Sequence, residues 1–80
     1  MGLALSEREI GMRASRLLKL RLRQAGITYE ELALRLPRHG LPNETVNSIK
    51  AKLKRGTFPA TFLIATLAAL GLEGFKLGDI

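Results

Sequence analysis

Glycine and proline divide this chain into short segments, and each segment has the apolar rhythm of a helix. Gly26, Pro37, Gly56 and Gly71 each follow a stretch whose apolar residues recur at steps of three and four, the spacing that gathers side chains on one face of an α-helix. Ser6 and Glu9 have the spacing of a capping box, in which the hydroxyl accepts from a free first-turn amide and the carboxylate reaches back. A first helix is therefore expected over residues 7–25, with Ile10, Ala14, Leu17, Leu18, Leu22 and Ala25 inward and Gly26 as its left-handed stop. Thr28 and Glu31 repeat the capping-box spacing, which predicts a second helix over residues 29–36 with Leu32, Ala33 and Leu36 toward the core. Pro37 lacks an amide proton and biases Leu36 out of the α region, so the helix should end there and Arg38 to Pro42 should form a turn.

Asn43 is a good N-cap for a third helix over residues 43–55, whose apolar seam is Val46, Ile49 and Leu53 and whose stop is Gly56. Pro59 stands where a fourth helix, residues 59–70, would open, with Phe62, Leu63, Thr66, Leu67 and Leu70 on one side. In the tail, residues 73–80, Phe75 and Leu77 alternate about Lys76, a pattern open to a short strand or to plain extended chain. No repeat, low-complexity run or linker interrupts the chain, so residues 1–80 read as one domain. The fold class expected is all-α, a compact bundle of four to five helices.

Composition limits what such a bundle does. With 80 residues it can build one core, and with 46% apolar and 25% charged residues it has enough hydrophobic material to fold. The absence of cysteine excludes disulfides and thiolate metal sites. His39 and Asp79 are the only residues of their types and neither has a partner at catalytic or metal-ligand spacing, so no metal, no cofactor, no small-molecule substrate and no enzymatic activity are expected. Lys54-Arg55-Gly56-Thr57 lacks the first glycine and the Lys-Ser/Thr ending of a phosphate-binding loop. Residues 1–5 are too short for an export signal, and the longest apolar run, residues 60–72, falls short of the ~20 residues of a membrane span. A soluble, cytoplasmic protein is the expectation, which sets aside the glycosylation-like Asn43-Glu44-Thr45 as a helix cap, while the myristoylation-like Met1–Ser6 matches only a loose pattern.

Thirteen Lys and Arg against seven Asp and Glu give a net charge of +6, which favours an acidic polymer as partner. The first helix carries Arg8, Arg13, Arg16, Lys19, Arg21 and Arg23, a distribution that also suits a merely solvated face. On a helical wheel the third helix sets Glu44, Asn47, Ser48, Ala51 and Arg55 opposite its apolar seam, with Lys52 and Lys54 on the flanks. Small side chains let a backbone approach, Asn pairs bidentately with adenine, Arg pairs with guanine, and Lys reaches phosphates. Candidate base contacts are thus Asn43, Glu44, Asn47, Ser48 and Ala51, and candidate phosphate contacts are Arg38, Lys50, Lys52, Lys54 and Arg55. Tyr29, at the start of the second helix, is either a further phosphate contact or a cover for the core.

Gly26-Ile27-Thr28-Tyr29-Glu30-Glu31-Leu32-Ala33, Thr45-Val46-Asn47-Ser48-Ile49 and Leu67 to Leu72 together resemble the second, recognition and closing helices of phage-repressor and Cro-like domains. That resemblance implies a lambda-repressor-like helix-turn-helix fold that binds double-stranded DNA in a sequence-specific manner, as a small transcriptional regulator. The turn before Val46 and the helix before Gly56 are both longer than in that family. A second resemblance, over about residues 17–71, is to a small bacterial family of domains without an assigned activity. It rests on Leu17-Leu18-Lys19, Thr28 to Ala33, Asn47, Lys52, Arg55-Gly56, Phe58, Ala60 and Phe62. Thr61, Ile64, Ala68 and Leu72 lie away from the core face of the fourth helix and are candidates for a homodimer surface. The alternative reading is a protein-interaction module that uses the same fold to present this helix to a partner.

Overall fold

The computed structural model describes residues 6–71, and within that span all regular structure is helical. The elements are α1 (Glu7–Ala25), α2 (Tyr29–Arg35), a 3-10 turn (Leu36–His39), α3 (Val46–Arg55) and α4 (Ala60–Ala69). Residues 73–80, where the sequence left a strand or an extended tail open, lie outside the described residues.

Local chemistry sets the helix ends. Ser6 Oγ accepts from the Glu9 amide at 3.2 Å while the Glu9 carboxylate accepts from the Ser6 amide at 3.3 Å, the reciprocal box the spacing predicts. At Thr28 only half of a box forms: its hydroxyl accepts from the Glu31 amide at 3.1 Å, but the Glu31 carboxylate pairs with Arg35 Nε at 3.0 Å. Pro37 does not turn the chain aside at once. Leu36 keeps a helical backbone, φ −60° and ψ −33°, against the bias of a following proline, because its fully buried side chain belongs to the core. Pro37 then sits in the first turn of the 3-10 segment, where no amide is needed.

The third helix starts later than residue 43. Asn43 lies exposed in the preceding turn, and Thr45 is the N-cap: its hydroxyl accepts from the Ser48 amide at 3.1 Å, and Ser48 Oγ accepts from the Thr45 amide at 2.8 Å. Thr45 wins because Ser48, three residues on, can return the bond, whereas Asn43 meets Val46 at the same offset. Pro59 caps α4 from outside, with φ −68° and ψ 156°.

The core gathers Leu18, Leu22, Leu32, Leu36, Ile49, Leu53, Phe62, Ala65, Leu67 and Ala69, with Phe62 the largest side chain fully removed from solvent. Periodicity overreached at both ends of α1, since Ile10 and Ala25 are exposed. It also missed Ser15, which is fully buried and whose hydroxyl donates to the Leu53 carbonyl oxygen. That carbonyl is in the last turn of α3, where no helical amide is left to reach it. One turn earlier on α1, Gly11 meets Gly56 so closely that a Cβ at position 11 would overlap the Gly56 carbonyl. Gly56 itself takes φ 69°, so glycine is required there both by conformation and by the Met12 side chain and Gly11 backbone that crowd it. At the opposite end of the bundle Arg35 ties α2 to α4, its Nη1 donating to the Ala69 carbonyl at 3.1 Å.

Candidate nucleic-acid interface

Because α3 begins at Val46, its polar residues fall into two rows rather than one face. Glu44 precedes the cap and folds back along the helix, where its Oε1 accepts from Ser48 Oγ at 2.6 Å and from Lys52 Nζ at 3.1 Å. The Lys52 ammonium also stands 5.6 Å from the centre of the Phe62 ring, a cation–π arrangement against the core. The side chains of Lys52 and Glu44 are only 20% and 14% exposed. Glu44, Ser48 and Lys52 therefore form a row closed by its own hydrogen bonds. Glu44 and Ser48, candidate base contacts, and Lys52, a candidate phosphate contact, thus have partners for their polar atoms inside the domain.

The second row is open. Asn47, Lys50, Ala51 and Lys54 follow the i, i+3, i+4, i+7 spacing of one helical ridge, on the side away from buried Ile49 and Leu53. Asn47, Lys50, Lys54 and Arg55 are exposed and Ala51 is half-buried. Among the described residues no side-chain hydrogen bond or ion pair engages those four polar side chains. Lys54 and Arg55 also complement the negative end of the α3 dipole.

Other candidates are dispersed. Tyr29 is half-buried and packs on the core. Arg38 is exposed, but it shares a shallow polar depression with Glu31, Leu34, Arg35, His39 and Ala69, at the α2–α4 end of the molecule. On α1 the structure sorts the cations. Gly11, Ser15, Leu18 and Leu22 form the row packed inward, and Arg8, Met12, Arg16, Lys19 and Arg23 form the neighbouring ridge. Met12, within that ridge, lies against Gly56, so the cationic side of α1 adjoins the end of α3 that carries Lys54 and Arg55. Arg21 sits apart, half-buried, donating to Gln24 at 3.0 Å. On α4, Thr61, Ile64 and Ala68 are all exposed, while Leu72 lies outside the described residues.

Among the described residues no three His, Asp or Glu side chains gather as metal ligands, and no helix is long and apolar enough to cross a membrane. No curated protein and no solved structure matches the chain. The family match runs from the Gly11 contact on α1 through the whole of α4, and so takes in both rows of α3. With residues 11–75 matching its model, the chain belongs to the family described as "Domain of unknown function (DUF6471)".

Proposed function

We propose that this domain binds double-stranded DNA, laying the open row of α3 into the major groove in the manner of a helix-turn-helix protein, and that it regulates transcription. The observation that carries the reading is the unengaged row Asn47, Lys50, Ala51 and Lys54, flanked by Arg55 and continued by the cationic ridge of α1. In this arrangement Asn47 reads a base edge, with adenine its natural partner, and the small Ala51 lets the helix backbone approach. Lys50, Lys54, Arg55 and the ridge Arg8, Arg16, Lys19 and Arg23 meet phosphates and set orientation without reading sequence. The long connection from Arg35 to Val46, with its 3-10 turn, departs from a short helix-turn-helix. A tilt of α3 in the groove is expected to differ accordingly.

Fluorescence anisotropy with labelled duplexes over a range of salt concentrations tests this. Affinity is expected to fall steeply with salt, with a log–log slope of about −0.9 per phosphate neutralised. Replacing Asn47 by Ala is expected to flatten the preference among duplexes while leaving that slope unchanged. Absence of any salt-sensitive association near physiological ionic strength refutes the proposal. NMR titration separates it from a purely protein-binding role, since DNA should shift the amides of α3 and spare those of α4.

A further inference from the structure

The inward side of α1 is unevenly covered. Further along the helix Leu18 and Leu22 are sunk in the core, but the first two turns face a hollow of about 630 Å³. Ile10, Gly11 and Ala14 form one wall of it, Phe58 and Leu63 the other. Gly11 and Gly56, which meet backbone to backbone, put no side chain into the space. Apolar surface is left in water as a result: Ile10 is 47% exposed, and Phe58 and Leu63 pack on the core with only part of their surface. Ser6, where the chain enters α1, has an extended backbone of φ −68° and ψ 160° and makes both bonds of its capping box.

We infer that residues 1–5, which lie outside the described residues, close this hollow as a strap, with Leu5 packed on Ile10 and Leu3 carried toward Phe58 and Leu63. Three observations select this segment as the occupant. The first is register. With Ser6 as N-cap, Leu5 is the residue before the cap and Ile10 the fourth of the helix, the two positions that join in a hydrophobic staple beside a capping box. The second is chemistry. Met1-Gly2-Leu3-Ala4-Leu5 has no charged or hydrogen-bonding side chain, which suits walls that offer mainly hydrocarbon, and in an extended stretch Leu3 falls on the same side as Leu5. The third is reach. Five residues span up to about 17 Å, and the segment enters at the margin of the hollow, which Glu7 and Arg8 line. A tether this short gives it an effective concentration on the order of millimolar, which favours it over a free apolar partner. The inference is independent of the nucleic-acid reading, because it is tested without nucleic acid.

Methyl-resolved NMR and urea unfolding of the full chain are the experiments. Nuclear Overhauser contacts are expected between the Leu5 and Ile10 methyls and from Leu3 to the Phe58 ring. Leu5→Ala should raise the unfolding equilibrium constant about fivefold in the wild-type background and hardly at all in an Ile10→Ala background, where its partner is already gone. In a Leu34→Ala background the full effect should return, because Leu34, 73% exposed on α2, does not line the hollow. The dye anilinonaphthalene sulfonate should stay dim with the wild type and brighten with Leu5→Ala as apolar wall is uncovered. Absence of the Leu5–Ile10 contact overturns the inference, as does an equal effect of Leu5→Ala with and without Ile10. A contact that fades on dilution assigns the hollow to a second copy, and a bright dye signal with the wild type leaves it open to a free apolar ligand; either result also overturns the strap.

Discussion

Lys52 and Lys54 are separated by one residue and have different surroundings. Lys52 is held by the Glu44 carboxylate at 3.1 Å and stands over the Phe62 ring, whereas Lys54 is exposed. Lys54→Ala is therefore expected to weaken DNA binding for every sequence alike and to reduce the magnitude of the salt slope by about one. Lys52→Met should leave the slope untouched and lower folding stability by about 1 kcal/mol, the scale of a partly buried ion pair combined with a cation–π contact. Parallel urea unfolding and anisotropy titrations of the two variants check both statements. Thr66 offers a test of the opposite sign. Its hydroxyl is buried without a hydrogen-bond partner among the described residues, so Thr66→Val, nearly the same shape, is expected to raise stability by about 1 kcal/mol in urea unfolding.

At the scale of elements, the contact between α1 and α3 depends on the absence of side chain. Gly11→Ala is expected to cost about 2 kcal/mol or more, because its methyl meets a backbone carbonyl that cannot rotate away. Ser15→Ala should cost about 1–3 kcal/mol by leaving the Leu53 carbonyl buried and unpaired; thermal melts monitored by circular dichroism measure both. Neither position stands out in the sequence, where Gly11 and Ser15 look like weak points in a helix. Their roles come from a segment forty residues away, and periodicity carries only local information. What periodicity and caps do carry is substantial: Ser6, Gly26, Gly56 and Pro59 mark helix limits that the structure repeats within a residue. The limits of α2 and α3 were harder to place, since the region from Leu36 to Thr45 is settled by burial of Leu36 and by a reciprocal bond between Thr45 and Ser48. Asn43 has the better intrinsic cap chemistry and lacks the partner.

Over the whole molecule charge is unevenly shared, α1 and α3 bearing ten of the 13 Lys and Arg residues and α4 none. The wheel drawn from sequence identified the outward side of α3 but could not divide it, because the row Glu44, Ser48 and Lys52 is closed by hydrogen bonds whose formation depends on where the helix starts and on where Phe62 lies. The exposed positions on α4 were legible in the sequence for a simpler reason: they follow from which of its residues the core leaves over. The seat of α3 on α1 has a wider consequence. With the Gly56 carbonyl abutting the backbone at Gly11, and Ser15 clasping Leu53 one turn further along, the rod can neither roll nor slide without breaking both hold-points together. Any surface it meets is met by a part already set in its final attitude, so little freedom remains to be surrendered on arrival. If the proposed major-groove contact is its function, selectivity comes from fit rather than from adaptation.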